Sequence, residues 1–315
     1  MKAAKNITAL NTRSKVIYEE ALRLGFTDCG ITTADSPVDA SRYLIDWIKN
    51  GYHGEMKYME ERADLRCDPR KFASWARSVI MVLQNYNPSA VQKDPSAPVI
   101  ARYSYGRDYH SVINNKLKKL AIFIQTEIGP CRVQAFIDTS PILEKSLAQR
   151  AGLGWQGKNS ILISKKYGSF FFLGGILTDL ETEYNQVPAK DYCGNCNLCI
   201  ENCPTGALVS PHVLDARNCI SYLTIENRKG GLPVELRSKF QNRIFGCDIC
   251  QEVCPWNRKS FPHSEPELKP VPELLEMSRD DWFALDEKKF SALFKYTPFE
   301  RLKYSGLMRN LEFLK

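Results

Sequence analysis

The sequence predicts a mixed α/β (α+β) domain over residues 1–185, a cysteine-rich module over 186–262 and a short helical segment over 263–315. Three observations carry this reading. Apolar residues in the first part recur at helical spacing, then at strand spacing, and alternate between the two. The middle part gathers seven cysteines into two short runs, and the last part returns to helical spacing after a Pro-rich, charged stretch.

Taken in order, Val16, Ile17, Ala21 and Leu24 share a helical face, and DCGITTA (28–34) reads as a strand. Ser36-Pro37 suits a helix start, since proline lacks an amide that the first turn leaves unpaired anyway, and Leu44, Ile45, Trp47 and Ile48 continue it. SVIMVLQNY (78–86) and CRVQAFID (131–138) read as strands separated by a helix over SVINNKLKKLAIFIQTEI (111–128). SPILEKSLAQRAG is a further helix, and NSILISKK and SFFFLGGILT are strands joined at a Tyr-Gly turn. TEYNQVPAKDY and NRKSFPHSEPELKPVPE read as linkers bounding the cysteine module.

With 43% hydrophobic and 25% charged residues the chain is an ordinary globular protein, long enough for a sizeable core. No apolar run reaches transmembrane length, and the N-terminus shows neither a signal-peptide core nor a twin arginine, so no membrane association and a cytoplasmic location are expected. The 43 Lys+Arg against 36 Asp+Glu give a net charge of +7, which suits either a polyanionic partner or a solvated basic surface.

The run YCGNCNLCIENCPTGAL spaces four thiols as C-x2-C-x2-C-x3-C-P. Zinc sites, the alternative, usually come as two separated pairs, whereas three cysteines at every third residue followed by Cys-Pro is the bacterial ferredoxin pattern for a [4Fe-4S] cluster. In that pattern the fourth cysteine ligates a second cluster, and FGCDICQEVCPWN supplies a second group ending in Cys-Pro. Two clusters need about eight thiolates. Cys219 is the only other cysteine between the runs, so Cys193, Cys196, Cys199 and Cys254 are assigned to one cluster, and Cys203, Cys219, Cys247 and Cys250 to the other. Cys29, Cys67 and Cys131 are scattered and read as packed small apolar residues, and Met56 and Met59 read as core and not as cofactor contacts.

Clusters alone make an electron carrier, which needs no large domain in front of it. No G-x-G-x-x-G or P-loop follows a strand in that domain. The strings ARYSYGRDYH and FIDTSPILEKSLAQRAGLGWQGKNSILI, together with the two cysteine groups in this order, resemble the epoxyqueuosine reductase family from about Gly25 to the C-terminus. The resemblance implies a nitroreductase-like domain that binds cobalamin without a lower protein ligand, fed by a ferredoxin-like module carrying two [4Fe-4S] clusters. It implies reduction of epoxyqueuosine to queuosine at the wobble position of tRNA, with an unidentified electron donor and a chain acting as a monomer.

Residue by residue, the family's acid matches Asp138, which serves only if burial raises its pKa; a turn cap before Ser140-Pro141 is the other reading. Arg62, Lys158, Asn159, Ile163 and Ser164 match regions where the family touches cobalamin, beside a plain strand-and-turn role. Tyr105 to His110 are expected near the cavity, with Asp108 alternatively starting a helix, and His110 is not needed as a metal ligand. Arg228 and Lys229, with Arg237, Lys239 and Arg243 following, offer charge for tRNA phosphates. Many members carry a further helical repeat domain, so part of that RNA surface is expected to be reduced. The competing readings are a cobalamin-dependent reductive dehalogenase, typically exported and using a tyrosine acid, and a non-catalytic two-cluster electron-transfer protein.

Overall fold

The computed structural model describes residues 2–184 and 190–315, with side chains from Thr12 onward except Lys259; the expected boundary at 185/186 lies outside the described residues. The strands are β1 (Asp28–Thr33), β2 (Ser78–Asn85), β3 (Val99–Ile100), β4 (Val133–Phe136), β5 (Trp155–Gln156), β6 (Leu162–Ile163), β7 (Phe171–Thr178), β8 (Leu208–Ser210), β9 (Val213–Leu214) and β10 (Arg243–Phe245). The main sheet runs β1-β2-β7-β4, with every pair antiparallel. The mixed α and β composition is therefore of the α+β kind.

β2 sits inside the sheet with all eight residues buried, which explains its unbroken apolar run. Its side chains alternate between faces. Val79, Met81 and Leu83 pack with Leu147 and Ala148 of the helix Glu144–Arg150, while Ile80 and Val82 pack with Ile17 and Ala21 of Lys2–Arg23 and with Ile113 and Leu117 of Tyr109–Phe123. Gly175 of β7 lies where a Cβ would meet the Phe136 ring and the Ile80 carbonyl, so the sheet and its cover close only over glycine.

One expected strand behaves differently. NSILISKK contributes only β6, which pairs with β5 as a separate hairpin instead of joining the main sheet. Leu162 and Ile163 are paired with β5, and Ser164 bridges to Gly168 ahead of β7, so the segment's backbone is engaged outside the main sheet.

The C-terminal segment is no appendage. Its Trp282, Phe294, Phe299, Leu307 and Leu311 form one core with Ile100 and Tyr105 from the first domain and with Ile244 and Phe245 from the cysteine module. β10 pairs in parallel with β3, joining the same two parts by backbone hydrogen bonds. No helix among the described residues is long and apolar enough to cross a membrane.

Candidate active site

A cleft of about 1660 Å³ opens between the first domain and the cysteine module, walled also by the C-terminal segment. Asp138 stands on its wall. It lies two residues past the end of β4, in a turn with φ +41°, so a loop carries it and not the strand itself. Its carboxylate engages Tyr109 and His110, not the turn before Ser140-Pro141 that was its other reading.

What holds Asp138 is its side-chain and backbone partners. Its Oδ2 accepts from Tyr109 Oη at 3.0 Å and lies 3.1 Å from His110 Nε2, while its backbone N–H donates to Glu144 Oε1 at 2.7 Å. Arg301 of the C-terminal segment stands 4.0 Å from Oδ2 and is itself paired with Glu226 at 2.6 Å. His110 Nδ1 lies 2.8 Å from Asp108, which also caps the helix start by accepting from the His110 amide. Both readings of Asp108 therefore hold at once, as cap and as cleft wall. Tyr109 stacks on Phe172 at 4.0 Å, which fixes its ring from the sheet side.

The charge states reverse one sequence expectation. Burial pushes the Asp138 carboxyl up, but the His110 hydrogen bond and charge, the Tyr109 hydrogen bond and the Arg301 charge outweigh it and hold the group below the usual carboxylate range. Burial works against a charged His110, yet the Asp108 and Asp138 carboxylates on its two nitrogens hold it protonated up to about 9. Glu144 is the carboxyl that burial raises, helped by the adjacent Asp138 charge, to about 8. At neutral pH the site thus holds an ionised Asp138 beside an imidazolium, and a neutral Glu144.

The eight module cysteines are free thiols arranged in two neighbourhoods. Cys199 feels the charge of Cys193 and Cys254, and Cys254 that of Cys193 and Cys196; Cys219 feels Cys203, Cys247 feels Cys219, and Cys250 feels both Cys219 and Cys247. These are the two sets assigned from spacing. Cys250 also feels Cys199, so the sets are neighbours. Burial foremost, then neighbouring thiols, pushes Cys199 up to about 11, and burial pushes Cys247 to about 12, so cationic metal is needed to ionise them. Among the described residues no three or more of these groups are drawn in tightly enough for a single ion, and a cluster of several irons takes a wider ring of thiols. Of the eight, only Cys219 lines the cleft. Trp155, also on the cleft wall, donates from Nε1 to Cys193 Sγ at 3.4 Å.

Of the five residues matched to cobalamin contacts, Arg62 lines the cleft and the other four do not. Lys158 Nζ donates to Asn197 Oδ1 at 2.9 Å, and Asn159 Nδ2 to the Cys250 carbonyl at 3.3 Å. The Lys158 carbonyl accepts from the His212 amide at 2.9 Å. This segment mounts the cysteine module on the first domain, because its turn exposes polar groups toward the module. Ile163 is buried in the hairpin and Ser164 is bridged to Gly168, whereas Ser160 from the same turn does reach the cleft.

Tyr105 is buried in the shared core, while Asp108, Tyr109 and His110 line the cleft; so do Met59, which was expected in the core, and Met56, which also packs against the core around Ile220 and Tyr222. Arg228 and Lys229 are exposed just past Glu226 on the cleft wall, Arg237 and Lys239 are exposed, and Arg243 pairs with Glu252. Sequence reading placed Tyr109 near the cavity within Tyr105 to His110 but gave it no role, and it missed Glu144, Glu226 and Arg301. Tyr109 and Glu144 lay inside quoted strings, but nothing in their spacing ties them to Asp138.

Comparison with known proteins follows the same lines. The family model described as a 4Fe-4S double cluster binding domain matches residues 192–257, and that described as Epoxyqueuosine reductase QueG matches 66–139. The chain is 46% identical over 309 residues to the epoxyqueuosine reductase of Cellulophaga algicola, covering 97% of this chain and 100% of that one. A crystal structure of epoxyqueuosine reductase with an epoxyqueuosine-modified tRNA-Tyr stem loop superposes with a TM-score of 0.86 at 32% identity, covering 95% of this chain and 80% of that one. The Bacillus subtilis enzyme, solved with its catalytic aspartate loop swung out of the active site, matches with the same TM-score, identity and coverage.

Proposed function

Because this chain belongs to the epoxyqueuosine reductase family, we propose that it reduces epoxyqueuosine to queuosine at the wobble position of tRNA. The observation that carries the proposal is a single cleft bringing the Asp138–His110 pair and Cys219 to its wall. Removing an epoxide oxygen to leave an alkene consumes two electrons and two protons and releases water. The chain must therefore supply an electron path and a proton at the same place.

Cys193, Cys196, Cys199 and Cys254 would hold one [4Fe-4S] cluster, and Cys203, Cys219, Cys247 and Cys250 the other. Cys219 makes the second set the one at the cleft. The cleft's volume exceeds the roughly 300–1,000 Å³ of an ordinary small-molecule site, which suits a corrin together with an extruded base. His110 has both ring nitrogens committed to carboxylates, in keeping with a corrin that takes no lower ligand from it. Bound cobalamin supplies the low-potential one-electron chemistry.

The protein's own share is the proton. As the first epoxide C–O bond breaks, negative charge builds on the oxygen, and a proton passes from His110 Nε2 across the hydrogen bond to Asp138 and on to that oxygen, leaving a hydroxyl that departs as water when the second C–O bond breaks and a second proton arrives. His110 is left neutral and Asp138 returns to its carboxylate. The second proton comes from solvent at the cleft mouth. Tyr109 and Arg301 fix the carboxylate's direction during transfer. The Asp138 loop is able to leave this station, as in the B. subtilis relative.

Arg228 and Lys229 would hold tRNA phosphates where the base enters. The protein acts as a cytoplasmic monomer taking electrons from a separate donor. Neither the reductive dehalogenase nor the bare electron carrier has a specific observation in its favour; a carrier has no use for an acid-bearing cleft. The test is anaerobic reconstitution with iron, sulfide and cobalamin, followed by assay on epoxyqueuosine-containing tRNA. Formation of queuosine supports the reading, and its absence from a fully loaded protein ends it.

A further inference from the structure

Asp138 follows the last residue of β4 by two, so its amide has no strand to pair with. Within the turn Ser140 N and Thr139 Oγ1 donate to the Ile137 carbonyl at 3.4 and 3.3 Å and Ile142 N donates to the Ser140 carbonyl at 2.8 Å, but none of these engages the Asp138 amide, and Asp138 has a left-handed φ of +41°. An amide facing the cleft wall without a partner would favour release of the turn. The partner it has is Glu144 Oε1, at 2.7 Å.

Glu144 sits on a firm mount. It opens the helix Glu144–Arg150, whose Leu147 and Ala148 are wholly buried against β2 and β7. Beneath the same turn, Arg66 Nη1 lies 3.5 Å from the Ser140 carbonyl, with its guanidinium otherwise buried. We propose that Glu144 is the positioning residue that latches the Asp138 loop into the cleft, its Oε1 accepting the Asp138 amide and so aiming the carboxylate at His110. The proposal rests on the reading of Asp138 as the acid.

The latch works as an acceptor and not as a charge. Asp138, Arg66 and Lys145 all face Glu144, and burial, then the Asp138 carboxylate, keeps it neutral below about 8. A second anion there would repel Asp138 and loosen the turn. Glutamine, neutral and of the same length, reproduces the state that holds, whereas methionine keeps the length and removes the acceptor.

The experiment compares Glu144→Gln, Glu144→Met and Asp138→Asn in the reconstituted full chain. It measures kcat and KM on epoxyqueuosine tRNA and hydrogen–deuterium exchange over 137–142. Glu144→Met should lower kcat about tenfold, the population equivalent of one neutral hydrogen bond, with KM for tRNA within about twofold. Its exchange should rise over 137–142 and stay unchanged in β2. Glu144→Gln should return both kcat and exchange to within about threefold of the parent. Parental kcat and exchange in Glu144→Met overturn the latch, as does a glutamine variant damaged as badly as the methionine one. If Asp138→Asn turns over normally, the acid reading falls, and the exchange data alone then decide whether Glu144 holds the loop.

Discussion

His110 Nε2 and Asp138 Oδ2 stand 3.1 Å apart, and Asp108 engages the other imidazole nitrogen at 2.8 Å. One cation between two carboxylates stores a proton where an isolated aspartate would not. Asp138 can therefore deliver a proton although its own pKa lies low.

Asp138→Asn removes the group that receives this proton while keeping shape and polarity. We expect kcat to fall by about 100- to 10,000-fold, the usual worth of general acid catalysis, with iron and cobalamin content unchanged. Anaerobic single-turnover assays with absorbance checks measure this. Turnover near that of the parent would remove Asp138 from the reaction.

His110→Gln should lower kcat at neutral pH and change its pH dependence. His110 is raised above its ordinary value, so the stabilisation its charge brings is full below about 6.5 and is lost as pH rises through about 9. Parent kcat should decline along that alkaline limb, and the glutamine variant should lack it. Thermal melts should show the parent losing stability relative to the variant across the same window. An identical alkaline limb in both proteins would assign it to another group.

Cys219→Ala should halve the iron content of reconstituted protein, from about eight per chain to about four, because one ligand set is broken. Cys29, buried on β1 of the main sheet, should tolerate alanine with both clusters intact. Iron analysis and EPR distinguish the outcomes, and full iron with a normal spectrum in Cys219→Ala would refute its place as a ligand.

Charge reversal at Arg228 and Lys229 should raise KM for tRNA and leave cluster content unchanged. Abolishing one cation–phosphate pairing should reduce the log–log salt slope of binding by about 0.7 to 0.9. Binding titrations at several salt concentrations test this; an unaltered slope would place the RNA surface elsewhere.

Lys158 and Asn159 show how a correct string can mislead at the level of single residues. Their segment lies beside the cleft, yet their side chains turn to Asn197 and Cys250 while Gln156 and Ser160 on either side reach the cavity. Which side of a turn faces a ligand depends on what packs against its other side, and spacing carries no record of that. NSILISKK failed as a sheet strand for a related reason: its apolar pattern suits either a hairpin or a sheet, and the available partner, β5, decided it.

The buried run of β2 and the grouping of thiols proposed for the two clusters were both legible in the sequence. Strand burial and the local cysteine runs follow from short-range spacing, whereas Cys203, Cys219 and Cys254 had to be assigned across longer intervals. The tertiary structure alone decided which group holds the proton. Asp138, His110, Glu144 and Arg301 come from a turn, two helices and the C-terminal segment, and the charge of Asp138 is set by His110, Tyr109 and Arg301, all remote from it in the chain. A pKa is a property of such a surrounding, so burial that looked sufficient to raise Asp138 raised Glu144 instead.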